Sequence, residues 1–192
     1  MAHEVIHLRD FAREAATHIV GAIRKVLASR PQCRLGLAGG ETPRAIHREL
    51  VPIARDLPWD RIIITFGDER CVPPDDPQSN FRMAFESLLD PLGVPASQVL
   101  RIRGEIDQAA AADEYAATLT VHAATIGESI FVHDVLLLGM GEDGHTASLF
   151  PGSPSIEEST RLVMPVIGPK PPPQRVTMTL PLLNAARQTF VL

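Results

Sequence analysis

The 192-residue sequence carries no basic block: 18 Lys and Arg stand against 23 Asp and Glu, a formal net charge of −5. A nucleic-acid-binding chain normally displays a basic stripe, so no nucleic-acid partner is expected. Cysteine is scarce. Cys33 and Cys71 are the only two, in unrelated contexts, too few for a zinc site or a disulfide framework. They read as reduced thiols. The opening MAHEVIHLRD has neither a basic n-region nor an apolar h-region, so no secretory leader is expected. The longest apolar runs are strand-length, far short of a membrane span. Together these absences predict a cytoplasmic protein with no membrane partner. There is also no Walker A ending of Gly-Lys-Ser/Thr and no G-x-S-x-G nucleophile elbow.

What is present is an ordinary soluble composition, 45 % hydrophobic and 21 % charged, with a mean hydropathy of +0.06. It suits one domain over residues 1–192 and is compatible with a monomer. Asp10 can cap a helix whose apolar positions Phe11, Ala15, Ile19, Ile23 and Val26 recur at helical spacing. Cys33 to Ala38 is a short apolar run, followed by a helix with Thr42 as cap and Pro43 as first residue, running to about Leu50. Arg61 to Phe66 is β-branched and reads as a buried strand. A polar loop from Gly67 to Ser79 precedes a helix through Leu89, capped by Ser79 or Asn80, a pair that reads either as a cap alone or as also lining the ligand crevice. Val99 to Ile102 reads as a short strand, and Asp107 starts an alanine-rich helix to about Thr125. Strands are expected at 134–138, 161–167 and 175–180, a helical turn at 182–186 and a strand start at 189–192. This alternation predicts an α/β fold: an open, mainly parallel, Rossmann-like sheet with helices on both faces.

Ligands of such sheets bind beyond the carboxyl ends of the strands. Three loops there are rich in glycine and polar residues: Gly39 to Thr42, Gly67 to Asn80, and Gly139 to Thr146. Gly39-Gly40-Glu41-Thr42-Pro43 reads either as a phosphate cradle at a helix N-terminus or as a plain strand-to-helix turn. In Asp68-Glu69-Arg70, Arg70 either pairs with a phosphate or belongs to a solvated turn. With a net negative chain, an anionic ligand needs a local positive field from such residues.

The third loop, Gly139-Met140-Gly141-Glu142-Asp143-Gly144, has the letters of the dinucleotide fingerprint G-x-G-x-x-G. That fingerprint also requires an acid about 20 residues on, at the end of the next strand. The next strand ends near Ile167-Gly168-Pro169 with none, so a nicotinamide cofactor is not expected. His145 follows, beside Asp143 and before a segment that reads as helix. An imidazole titrates near neutrality and can activate water, and a carboxylate can orient it. No second well-placed histidine accompanies it, so no metal is expected. The others (His3, His7, His18, His47, His122, His133) fall where a packing or surface role suffices. Ser148 reads as a helix residue rather than a nucleophile.

The blocks LAGGETPRAIHREL, TFGDERCVPPDDPQSNFRMAFESLL, DVLLLGMGEDGHTASLFPG and PKPPPQRVTMTLPLLNAA, in this order, resemble the 6-phosphogluconolactonases. The resemblance implies hydrolysis of a phosphosugar lactone, 6-phospho-D-glucono-1,5-lactone, without metal or organic cofactor. It also implies the fold shared with glucosamine-6-phosphate deaminases and ribose-5-phosphate isomerases. Carried over, His145 matches the general base and Asp143 the acid beside it. Gly39, Gly40, Thr42, Arg70, Lys170 and Arg175 match residues expected near the sugar phosphate. Backbone N–H groups of Gly141 and Gly144 are then candidate oxyanion donors. Two features depart from the family pattern: Glu41 stands where a small or polar residue is common, and the chain stops at Phe190-Val191-Leu192, where members normally continue.

Two other readings compete. A glucosamine-6-phosphate deaminase usually follows Gly-His with Ile-Ala-Phe-Asn-Glu-Pro. Here Thr146-Ala147-Ser148-Leu149-Phe150-Pro151 follows, without the acid, and Arg70 replaces the expected aromatic. The other is a non-catalytic sugar-phosphate-binding protein.

Overall fold

The computed structural model describes residues 4–192. In chain order the elements are α1 (Phe11–Ser29), β1 (Cys33–Leu37), α2 (Glu41–Ile53), β2 (Ile62–Phe66), β3 (Asp68–Arg70), α3 (Asn80–Ala84), α4 (Gln108–Ala124), β4 (Val135–Leu138), β5 (Val163–Ile167), β6 (Gln174–Met178), α5 (Leu180–Leu183) and β7 (Thr189–Val191). The main sheet has the order β2-β1-β4-β7, and every pairing in it is parallel. Every residue of β1, β2 and β4 is buried, so both alternating sets of side chains are covered. That is the expected state of a parallel sheet packed on two faces. Helix α1 packs on α2 and touches β1 and β4, while α4 packs on β5 and β6. The Tyr115 hydroxyl of α4 donates to the Phe66 carbonyl at 3.1 Å and accepts from the Phe66 N–H at 2.9 Å, which ties α4 to the end of β2.

The sequence expectation needs correction at several points. Asp68-Glu69-Arg70 is a strand, not part of a loop. It pairs antiparallel with β6, which in turn pairs with β5, to make a second, three-stranded sheet. The helix expected through Leu89 is α-helical only to Ala84 and widens into a π turn over Phe85–Leu89. Val99 to Ile102 makes a single bridge, Ile64 to Val99, and no strand. No helix follows His145. The chain turns there, closed by a bridge between Thr146 and Leu149, with Ala147 in the left-handed region at φ 50°. Tertiary hydrogen bonds from Ser148 override local propensity at this point.

The caps shift too. Gly40, at φ 107°, is the N-cap of α2, so Thr42 and Pro43 lie inside its first turn, and the helix runs on to Ile53. Glu14 Oε1 accepts from the backbone N–H groups of Arg9 and Asp10 and closes the start of α1 in place of the Asp10 side chain. Asp107 and Ser79 cap α4 and α3 with side-chain oxygens, as such residues do.

Candidate active site

Beyond the carboxyl ends of β1, β2 and β4 lies a cleft of about 250 Å³. The three glycine-rich loops converge on it, with Gly39, Gly40 and Thr42 from the first, Arg70 from β3, and Gly141 and His145 from the third. Asp68 and Asn80 also line it, and Arg175 enters from β6.

His145 Nδ1 is 2.5 Å from Asp143 Oδ1. A charge-assisted bond of this kind fixes the tautomer with the proton on Nδ1. Nε2, the nitrogen that remains, makes no hydrogen bond among the described residues and is available as a base. The same bond, chiefly, holds the Asp143 carboxyl below its ordinary range. Asp143 does not line the cleft; it acts on His145 from behind. The His145 ring packs on Phe150 at 4.6 Å, and the Arg175 guanidinium lies over the same Phe150 ring at 5.6 Å. Gly141 is needed for this geometry, since a Cβ there would overlap the His145 imidazole.

Arg70 and Arg175 are directly opposed partners in the β3–β6 ladder, and both line the cleft. Like charges directly opposed destabilise a sheet unless something compensates. Burial, and after it the Arg70 cation, pull the Arg175 guanidinium below its ordinary range. Arg175 is 6 % exposed and held by the carbonyls of Pro172 at 3.1 Å and Lys170 at 3.3 Å. Arg70 donates from Nη1 to the Gln78 carbonyl, but its buried Nε has no partner among the described residues. Facing them, α2 begins without a side-chain cap, so the N–H groups of its first turn open on the cleft. Two cations, an unpaired donor and a helix N-terminus together describe a site for an anion. Glu41 borders it, but its side chain is 84 % exposed and pairs with Arg44 at 3.6 Å.

Behind the cleft is a buried polar network that the sequence pointed to only at Ser79-Asn80. Asp68 accepts from Asn80 Nδ2 at 3.1 Å and from Ser148 Oγ at 2.6 Å. Glu69 accepts from the N–H groups of Arg70, Asn80 and Phe81 and from Ser79 Oγ. Burial raises the Glu69 carboxyl, and these four donors oppose the rise. Gly39 has to lack a Cβ because the Asn80 amide occupies that space.

Three expectations are corrected. The Gly141 N–H donates to the His145 carbonyl at 2.8 Å and the Gly144 N–H to the Gly141 carbonyl at 2.9 Å. Both are spent on shaping the loop, so neither is free as an oxyanion donor, and Gly144 does not line the cleft. The Lys170 side chain is exposed and outside the cleft, and it is the Lys170 carbonyl that serves the site, by holding Arg175. One letter pattern also needs an account: residues 3–7 read H-E-x-x-H. That motif binds zinc only on a helix; residues 4–8 form none, and His3 lies outside the described residues.

A family model described as glucosamine-6-phosphate isomerases/6-phosphogluconolactonase matches residues 7–192. The chain belongs to this family. It is 40 % identical over 186 residues to a 6-phosphogluconolactonase of Mycobacterium tuberculosis, covering 93 % of this chain and 74 % of that one. A Homo sapiens 6-phosphogluconolactonase is 43 % identical over 180 residues, covering 92 % of this chain and 66 % of the relative. The crystal structure of 6-phosphogluconolactonase from Thermotoga maritima matches with a TM-score of 0.84 at 29 % identity, covering 96 % of this chain and 80 % of that one. Membership of the glucosamine-6-phosphate isomerase/6-phosphogluconolactonase family agrees with the mixed α/β architecture and its mainly parallel sheet.

Proposed function

We propose that the protein hydrolyses 6-phospho-D-glucono-1,5-lactone to 6-phospho-D-gluconate, a step of the oxidative pentose phosphate pathway. The observation that carries this reading is one cleft that holds both an oriented imidazole and an anion site. The names of its relatives support the choice of substrate. Arg70, Arg175 and the start of α2, with Gly39, Gly40 and Thr42, hold the phosphate and set the lactone carbonyl near His145. His145 Nε2 takes a proton from water as the water oxygen bonds to C1, and Asp143 stabilises the imidazolium that forms. The C1–O5 bond then breaks, and the imidazolium returns the proton to the ring oxygen as it leaves. The acid so formed ionises and releases one proton to solvent. Neither a metal nor a redox cofactor enters this sequence. A cytoplasmic location belongs to the same reading and suits two unpaired thiols, Cys33 and Cys71.

The test generates the lactone with glucose-6-phosphate dehydrogenase and follows its loss above the spontaneous rate. The wild-type protein accelerates it. His145→Ala lowers kcat by about 10²–10⁴ with little change in KM. A near-normal kcat in that variant removes His145 from the chemistry. Binding of 6-phosphogluconate without any acceleration identifies a binding protein instead, and turnover of glucosamine 6-phosphate identifies a deaminase.

A further inference from the structure

Ser148 is fully buried, and its hydroxyl bonds not to His145 but to Asp68 Oδ2 at 2.6 Å. The backbone N–H of the same residue donates to Thr177 Oγ1 at 3.1 Å. Asp68 lies on β3 and Thr177 on β6, and the two are directly opposed partners in that ladder. Arg70 and Arg175 lie two residues further along the same two strands and are likewise opposed. One residue of the loop after β4 is therefore fastened twice to the small sheet that carries both cations. Asp68 cannot swing away, because Asn80 Nδ2 holds its other oxygen at 3.1 Å and its carbonyl at 3.0 Å. Between His145 and Ser148 the chain passes through Ala147 at φ 50°, a conformation an L-residue adopts only where its surroundings enforce it.

We infer that Ser148 is a positioning residue for the hydrolysis. Through Asp68 and Thr177 it fixes the His145 loop on the Arg70–Arg175 ladder, and so sets the distance from the base to the phosphate anchor. The inference rests on the proposed lactonase reading. Its physical content is that the main sheet and the small sheet are separate ladders. The base belongs to a loop of the first and the cations to the second. The sheets already meet at Gly67, between β2 and β3, whose carbonyl accepts from the Met178 N–H at 2.8 Å. That junction does not hold the loop after β4, and without the Ser148 strap small shifts of this loop would move His145 off the carbonyl while the phosphate stayed bound. An error of about 1 Å in such a placement costs on the order of 100-fold in rate. Ser148 does not line the cleft, and its hydroxyl bonds to Asp68 rather than to the imidazole. Its hydroxyl proton is committed to a carboxylate, which also rules it out as a nucleophile without rearrangement.

The test measures kcat for the phosphorylated lactone, and the Kd and stoichiometry for 6-phosphogluconate by calorimetry, on wild type, Ser148→Ala and Thr177→Val. Thr177→Val cuts the second strap without touching the first, and it serves if Ser148→Ala does not fold. The expected result is a kcat lower by about 10- to 100-fold for Ser148→Ala, and a smaller loss in the same sense for Thr177→Val. The product Kd stays within about threefold and the stoichiometry near one site per chain. The preference for the phosphorylated lactone over unphosphorylated glucono-1,5-lactone, as a ratio of kcat/KM, also falls, because only the anchored substrate depends on the strap. A merely structural loss lowers kcat and binding stoichiometry together and leaves that ratio unchanged. That pattern, or an unimpaired kcat in both variants, overturns the strap. An inactive wild type overturns the lactonase reading and the strap with it, whereas a fully active His145→Ala overturns the base assignment and the strap and leaves the lactonase reading standing. An active wild type with unimpaired strap variants overturns the strap alone.

Discussion

Arg70 and Arg175 show how one pair of residues can be costly to the fold and useful to the site. Opposed in the ladder, they repel, and burial of Arg175 sharpens the conflict. In the proposed reading, an arriving phosphate converts that repulsion into two charge-assisted contacts. Removal of either cation should therefore weaken binding far more than chemistry. Arg175→Ala and Arg70→Ala are each expected to raise KM by about 10- to 100-fold, the worth of a hydrogen bond to a charged group. The fall in kcat should be smaller. Arg70→Ala should also relieve the opposed charge and leave thermal stability unchanged or slightly higher. Steady-state kinetics with a melting curve checks both. An unchanged KM in both variants moves the phosphate elsewhere in the cleft. The sequence marked Arg70 by its place at a strand end, and the family resemblance marked Arg175. That Arg175 faces it became visible only once the register of β3 on β6 was known.

At the scale of elements, β3 is the piece on which the site depends and the piece hardest to read in advance. It is three residues long, all three charged, with no apolar alternation to mark a strand. Its strand character comes from β6, more than a hundred residues later in the chain. The missing helix after His145 has the same cause, since Ser148 bonds to a residue 80 positions earlier. By contrast, β1, β2 and β4 with their glycine-rich loops were legible, because short, largely apolar runs ending in glycine need no distant partner to be recognised. Glu69 connects β3 to α3. It is 3 % exposed, and its carboxylate receives four donors, three of them backbone N–H groups. Glu69→Gln keeps the shape but replaces one accepting oxygen with an amide that faces donors. The expected loss is about 2–4 kcal/mol of unfolding free energy, read by urea denaturation. A loss below about 0.5 kcal/mol, the range of an ordinary surface substitution, would mean that β3 and α3 hold together without this carboxylate.

At the scale of the whole molecule, two buried histidines set the acid limit of the fold, and neither belongs to the cleft. His47, on α2, bonds to Ser87 Oγ through Nδ1, and burial pushes its pKa down to about 4. His133 precedes β4, at the end of the sheet away from the cleft. It bonds to Thr65 Oγ1 through Nε2, and burial, then the Arg34 cation, push it down to about 3. In the unfolded chain both titrate near 6.5. Below that pH the unfolded state binds protons that the native state refuses, so stability falls as pH drops. The fall begins near 6.5 and continues to about 4 for His47 and about 3 for His133. Each group contributes on the order of 1.4 kcal/mol per pH unit within its window. His122, less buried, adds in the same sense. Glu105 enters later: it is held down to about 2, chiefly by its hydrogen bond to Arg101, so its stabilisation is lost only below about 4.5. The interval from pH 6.5 to 5 therefore sets the two buried histidines against one opposing group, Glu69, whose burial-raised carboxyl stabilises the native state as it takes up a proton. Urea midpoints across it should decline steadily for the wild type. His47→Gln, which cannot titrate there, should decline with a visibly shallower slope. A midpoint that stays flat from pH 7 to 5 in both the wild type and Glu69→Gln would mean that both imidazoles take up their protons inside the folded protein. A steep but unchanged slope in His47→Gln would assign the whole acid limit to His133, which does not line the cleft.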